Sequence, residues 1–376
     1  MSIRLHWFIP SHGDGREVAR PSAAGANGQG PVGHQRRDPD IRYLVDVARA
    51  ADQVGFDGAL IPFGLFCEDP WLVAAAVSQA TERLGLMVAF RTGLVSPTLL
   101  AQMAATLQRM SGGRLLLNVV AGGDLEEQRR YGDHLLHDER YDRADEALHV
   151  MTGAWTGKVD VRGRYVNAVG ATVVRPPDPL PRIYVGGSSP SAHRLALRYA
   201  DVLLSWAERP EDHRAVVDQV AAYGGDRTIS FGTRFHVITR DRSEDAWTET
   251  RRIMETVDPA LVERTQQRLA GSDSHGQRRN LALHNGDLRN LEVYPNVWAG
   301  HGLTRQGSGL TLVGSHAEVA DRIEEYHRCG VNEFILSGQP HLEEVYWFAE
   351  GVMPILRARG LLGSTAHDVA LEVSAG

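Results

Sequence analysis

Cysteine is nearly missing from this 376-residue chain, which has two, Cys67 and Cys329. Two cannot build a disulfide framework, so a reducing, cytoplasmic home is expected. No stretch approaches the roughly 20 uninterrupted apolar residues of a membrane-spanning helix. The first ten residues, in which Arg4 and His6 alternate with apolar positions, read as a strand and not as a signal peptide. Excess positive charge is also missing. Forty-seven acidic and 40 basic residues leave a net charge of −7, which argues against a nucleic-acid surface while allowing a local basic pocket. Familiar catalytic signatures are absent too. Without HExxH, a P-loop or GxSxG, metalloprotease, NTPase and α/β-hydrolase chemistry lack support. Gly28-Gln-Gly-Pro-Val-Gly33 matches the dinucleotide fingerprint in letters only: no strand precedes it, Pro31 interrupts it and no helix period follows. No nicotinamide site is therefore expected. His134 and His137 lack a third ligand at a zinc offset and read as an exposed polar helix face, so no metal is expected.

What is present is ordinary soluble-protein composition, 43% hydrophobic and 23% charged, arranged as short apolar strands alternating with amphipathic helices. Strands are predicted at 3–9, 59–62, 86–90, 115–120, 183–186, 202–206, 229–238 and 334–337. Helices are predicted from Pro39 with Asp38 as cap, and at 69–84, 97–110, 190–199, 210–223 and 316–328. Eight strands joined by helical crossovers point to a (β/α)8 TIM barrel of the α/β class, with an open doubly wound sheet as the alternative. One barrel over 1–360 is expected, with a mobile excursion at 16–37, an insertion at 258–311 and a dispensable tail from 361. The glycine-rich end of the insertion, 299–310, has few apolar anchors and suits a lid.

On a barrel, the working face is the ring of strand C-termini, and reactive residues gather there. His12 follows the first strand, Cys67 the second, Arg91 and Thr92 the third. Trp206 ends the sixth, Arg234 and His236 share one face of the seventh, and Gln339 and His341 follow the eighth. A lone buried histidine is usually structural, but several polar groups on one rim suggest a cleft. Ile183-Tyr-Val-Gly-Gly-Ser-Ser-Pro190 runs a strand into glycines, serines and a helix start. That arrangement suits a phosphate, although a tight turn with a serine cap would read the same way.

His6-Trp-Phe-Ile-Pro-Ser-His-Gly-Asp-Gly15, Cys67-Glu-Asp-Pro-Trp71, Tyr184-Val-Gly-Gly-Ser-Ser189, Arg234-Phe-His-Val-Ile238 and Ser337-Gly-Gln-Pro-His-Leu-Glu-Glu344 resemble the alkanesulfonate monooxygenases, within the bacterial luciferase-like flavin-dependent monooxygenases. The resemblance spans the chain to about residue 356. It implies a barrel that binds reduced FMN (FMNH2) supplied by a separate NAD(P)H:flavin reductase. In such enzymes O2 adds to the reduced flavin, the peroxide attacks the substrate, and a sulfonate yields sulfite and an aldehyde. The resemblance also implies a homo-oligomer, dimer or tetramer.

On this reading, Ser188 and Ser189 with the amides of Gly186 and Gly187 hold the phosphate. Arg91, Thr92, Asn118 and Tyr141 complete the cofactor set. Arg234 binds a small anionic substrate, and Arg305 matches an arginine on the family's mobile loop. His236 and His341 transfer protons, His12 bonds within the rim, Trp206 walls the pocket, and Cys67 matches a cysteine near the flavin. Gln339 stands where the family has a tyrosine. That difference shifts attention to other substrates, namely a larger sulfonate, a sulfone or an unrelated metabolite. A deazaflavin-dependent oxidoreductase and a flavin-binding protein without turnover are the competing readings.

Overall fold

The computed structural model describes residues 2–16, 36–224, 227–255 and 257–363. Most of the 16–37 excursion, the 28–33 glycine motif and the tail beyond 363 lie outside these residues. Eight strands form the barrel: β1 (Arg4–Phe8), β2 (Gly58–Ile61), β3 (Gly85–Phe90), β4 (Leu115–Val120), β5 (Arg182–Gly186), β6 (Val202–Trp206), β7 (Ser230–Arg240) and β8 (Val331–Ser337). Each pairs in parallel with the next, and β8 closes on β1 with His6 opposite Ile335.

Period-two alternation decides what each strand presents to either side. Leu5, Trp7 and Ile9 of the first strand, Ile183 and Val185 of β5, and Phe334 and Leu336 of β8 face the helical ring in the large core. Phe8, Tyr184 and Ile335 belong to the smaller cluster inside the barrel, with Leu60, Met87, Ala89, Val202 and Leu204. His6 and Glu333 share this inward phase. Glu333 Oε2 accepts from His6 Nε2 at 2.9 Å and Tyr184 OH at 2.8 Å, while Arg182 reaches Oε1 at 2.9 Å. Three strands are thus tied across the lower barrel by one carboxylate.

The helices follow their sequence signals. Helices Pro97–Met110, Pro190–Tyr199 and His316–Arg328 lie at the predicted positions, with Ser96, Ser189 and Ser315 as N-caps. The first helix, Ile41–Val54, starts later than predicted: Asp40, not Asp38, caps it by accepting from the Arg42 amide at 2.8 Å. The second is shorter than predicted, Pro70–Ser78.

β7 is 11 residues long and outruns its neighbour. Its first half pairs with β6 up to Arg234, and its second half pairs with a parallel strand, Thr311–Ser315, from His236 onward. That overhang is where the 258–311 insertion rejoins the barrel. The insertion is built of helices Pro259–Ala270 and His275–His284, a short antiparallel pair and a 3-10 turn, Gly300–Leu303. Its end is better anchored than glycine content suggests: His301, Leu303, Ser308 and Leu310 are buried. Beyond β8, the Leu361 carbonyl accepts from Ile3 N at 2.8 Å.

Burial raises the Glu333 carboxyl pKa, but the hydrogen bond and charge of His6 with the charge of Arg182 more than offset it, down to about 2. A carboxyl depressed in the folded state stabilises above its ordinary value and loses that contribution on protonation, here between about 4.5 and about 2. Glu333→Gln is expected to lower unfolding free energy at pH 7 by about 3–5 kcal/mol, because it leaves buried donors facing one another. It should also flatten the acid limb. Urea unfolding across pH tests both.

Candidate active site

A cavity of about 330 Å³ opens at the C-terminal ends of the strands. Its floor is Phe8, Leu60, Ala89, Leu204 and Ile335, and its walls come from the loops after the strands and from the insertion. Of the residues singled out from sequence, Arg234, His341, Arg305, Cys67, Trp206, His12 and Gln339 line it. So do Arg91, Asn118, Tyr141, Gly186, Gly187, Ser188 and Ser189. His236 and Thr92 are buried but do not line it.

Two cations dominate the site. Arg234 lies over the face of Phe8, 4.1 Å from the ring centroid, and its Nε has no partner. Arg305 donates to His236 Nδ1 at 3.1 Å. Among the described residues, neither guanidinium has a carboxylate within salt-bridge distance. Burial lowers Arg234 to about 10; burial and then the charge of Arg234 lower Arg305 to about 9. Both remain cations at neutral pH, in a place where unpaired charge is costly.

The surroundings fix how Arg305 is held. His236 Nε2 faces the Ser308 carbonyl at 3.2 Å, so it carries the proton, and Nδ1 accepts from Arg305 and from Ser337 OH at 2.7 Å. Burial first, then Arg305, keep this ring's pKa well below its ordinary value. His236 is a neutral acceptor behind the arginine, and not a group that reaches the cavity. The loop that carries Arg305 is clasped on both sides. Gly307 N donates to Gln277 Oε1 at 3.1 Å, Gly309 N to Asn280 Oδ1 at 3.2 Å, and Ser308 OH to the Arg234 carbonyl.

Gln339 accepts from His301 Nε2 at 3.2 Å, and His301 Nδ1 in turn accepts from Thr311 OH at 2.7 Å. His301 stacks on His236 at 4.5 Å. Sequence reasoning missed His301, although it sits in the insertion's glycine-rich end. His12 makes edge contacts with Phe8 and Phe66, and burial followed by His341, Arg305 and Arg234 lowers it to about 3. The Cys67 thiol is pushed up to about 12, chiefly by burial. It is a thiol at neutral pH, which matches no nucleophile's requirement.

At the other end, the turn after β5 forms a cradle. The Gly187 amide is not available to a ligand, because it donates to the Leu204 carbonyl at 2.9 Å. Ser189 caps helix Pro190–Tyr199 through the Ala192 amide at 3.2 Å. Ser188, Ser189 and Ser191 carry the amides ahead of the first intrahelical bond, the group of donors that attracts an anion at a helix start. Tyr141 OH donates to the Gly186 carbonyl at 3.3 Å. Two histidines join here. His137 was read as an exposed face, but it opens helix His137–Thr156 and lines the cavity. His134 precedes that helix. His275, at the start of helix His275–His284, lies 5.7 Å from His137, ring to ring. Only tertiary placement brings the two together.

Beside the cradle, on β4, the Asn118 Oδ1 is buried without a partner. Arg91 is committed elsewhere: it pairs with Glu127 and packs over both Phe63 and Tyr131. Trp206 is backed by Gly276, where an added Cβ would stand 3.0 Å from the indole.

Gly187 has φ of +151°, and a Cβ there would lie 2.5 Å from Tyr141 OH and 2.6 Å from the Ala192 Cβ. Gly187→Ala is expected to cost about 1–3 kcal/mol of stability and to weaken phosphate-bearing ligands at least tenfold. Thermal unfolding and equilibrium titration would show both.

A family profile described as luciferase-like monooxygenase matches residues 3–333. Among solved structures, a riboflavin lyase with modified FMN and riboflavin is 21% identical with a TM-score of 0.76, covering 97% of this chain and 93% of that one. An EDTA monooxygenase from Chelativorans sp. BNC1 is 20% identical with a TM-score of 0.75, covering 96% and 95%. A long-chain alkane monooxygenase is 20% identical at 0.73, covering 97% and 93%. At these identities the structures speak for the barrel, and the profile speaks for descent. The chain belongs to the luciferase-like monooxygenases.

Proposed function

We propose that the protein is a two-component monooxygenase that uses reduced FMN and O2 to oxidise a small organic anion, with desulfonation of an organosulfonate as the leading reaction. The observation that carries this reading is the pair of half-buried guanidiniums on the cavity wall, neither with a carboxylate within salt-bridge distance among the described residues. An anion is the partner that would repay their desolvation, and the planar fork of Arg234 suits sulfonate oxygens. Several features support FMN as the cofactor. The Ser188–Ser189 turn, with His137 and His275 beside it, offers donors to a phosphate. Gly186 and Gly187 line the cavity next to that turn, and the buried, unpaired Asn118 Oδ1 lies close to Gly186. When bound, reduced FMN supplies the electrons that activate O2, and a separate NAD(P)H:flavin reductase supplies the cofactor.

The chain's own residues would position the substrate and keep water out. Arg234 and Arg305 clamp the anionic end, while Phe8, Leu60, Phe63 and Ile335 pack its carbon skeleton. Trp206 and the clasped loop exclude solvent, which protects reactive species from hydrolysis. Gln339, held by His301, contributes an amide where related enzymes have a phenol, and so bears on which substrate fits.

A panel of sulfonates and sulfones with FMN, a flavin reductase, NADH and air tests this. Sulfite release that depends on both FMN and O2 is expected. Anaerobic substrate-dependent oxidation of a reduced deazaflavin would overturn it. Arg234→Ala is expected to lower turnover by 100-fold or more, with thermal unfolding unchanged or raised because a half-buried charge without a carboxylate is gone. Gln339→Tyr is expected to change relative kcat/KM across the panel by at least tenfold, while FMNH2 affinity stays within about threefold.

A further inference from the structure

Asp14 is buried, 1% exposed, and every lone-pair direction of its carboxylate is filled. Oδ1 accepts from Gly15 N at 2.8 Å and from His341 Nδ1 at 2.9 Å. Oδ2 accepts from His341 N at 2.7 Å and from Tyr43 OH. Tyr43 also takes a hydrogen bond from Arg37 at 3.1 Å, and Arg37 pairs with Glu343, two residues beyond His341. Among the described residues, Asp14 has one ion-pair partner, His341. A carboxylate placed only to start helix His341–Ala358 would need the amide contact alone. This one also grips the ring of the helix's first residue.

The grip has a chemical consequence. A carboxylate can only accept, so the His341 proton is fixed on Nδ1. The ring lies stacked on Phe8 at 5.5 Å and lines the cavity, which leaves Nε2 as the nitrogen available to a bound molecule. Several groups in and behind the cavity wall near His341 are poorly suited to this part. His12 and the His236 and His301 rings are desolvated, Arg234 and Arg305 are cations, and Cys67 is a protonated thiol.

We propose that Asp14, backed by Tyr43, is a positioning residue that fixes the His341 tautomer and makes Nε2 the cavity's proton acceptor. A proton leaving a bound C–H or O–H acid bonds to Nε2, the electron pair stays on the ligand, and the proton passes to solvent after release. Asp14 neutralises the imidazolium that forms, against the repulsion of Arg234 and Arg305. Burial alone would raise Asp14, but the charge and hydrogen bonds of His341, with the Tyr43 bond, hold it down to about 2. The carboxylate therefore stays ionised throughout. The proposal rests on the monooxygenase reading for its proton donor, but its structural core does not.

Asp14→Asn separates the positioning role from helix capping. The side-chain oxygen that remains after this substitution can still accept from the His341 amide, whereas the new NH2 faces Nδ1 and moves the ring proton to Nε2. The experiment is histidine 15N NMR on the full chain without ligands, over a pH series, with His341→Gln to assign the signal. In the wild type, the neutral ring is expected to be protonated on Nδ1; in Asp14→Asn, on Nε2. Steady-state kinetics with the reductase should show kcat reduced by about 100-fold or more, with KM within about threefold. Tyr43→Phe should keep the wild-type tautomer with a smaller loss.

A wild-type ring protonated on Nε2 overturns the proposal even if Asp14→Asn fails to fold. A tautomer switch with unchanged kcat overturns it as well. A wild type that turns over no member of the panel, yet shows the switch, refutes the monooxygenase reading and leaves the positioning intact.

Discussion

Two half-buried guanidiniums with no carboxylate beside them among the described residues repel each other and lose part of their hydration, and the upper half of this barrel is organised around that cost. Phe8 offers Arg234 the negative face of its ring. His236 offers Arg305 a lone pair, and holds it because the Ser308 carbonyl forces the imidazole proton to the far nitrogen. Ser308 also donates to the Arg234 carbonyl, so one short loop touches both cations. The carboxylates nearby are engaged elsewhere, Asp14 with His341 and Glu127 with Arg91. On the proposed reading, the positive charge is thereby kept for a bound anion.

The contrast with the lower barrel is instructive. There Glu333 sits among His6, Tyr184 and Arg182, fully paired. Single nitrogens of His6 and Arg182 stay unpaired there, but the carboxylate itself is satisfied, whereas among the described residues no carboxylate stands within salt-bridge distance of Arg234 or Arg305 in the upper half. The lower network ties three strands through one carboxylate, and on the proposed reading the upper groups are left for a ligand. This division matches the general habit of such barrels, in which one end maintains stability and the other carries chemistry.

The barrel was readable in the sequence because its signals are local. Alternation marked all eight strands, and Ser-Pro or Ser-capped starts marked helices Pro97–Met110, Pro190–Tyr199 and His316–Arg328 to the residue. Rim residues followed from strand ends, which is why Arg234, His341 and Cys67 could be placed together. What depends on tertiary contact was not readable. Period-two phase put His236 beside Arg234, yet β7 outruns β6 there, and the insertion slides Arg305 between His236 and the cavity. Composition made 299–310 look loose, although its glycines permit close packing: Gly302 and Gly309 approach so nearly that a Cβ on the latter would lie 2.6 Å from the former's Cα. His137 and His275 are 138 positions apart and meet only in space.

Guanidiniums without a carboxylate beside them do not distinguish a substrate's charged end from an ion in the buffer. Sulfate and phosphate present the same tetrahedral oxygens that the fork of Arg234 fits, and either could settle beside Arg305 without touching the serine turn across the cavity. If the proposed anion site is correct, inorganic oxyanions in the medium act as rivals for the acidic end of the ligand. The apparent affinity of this protein for its natural molecule becomes a property of the solution as much as of the fold.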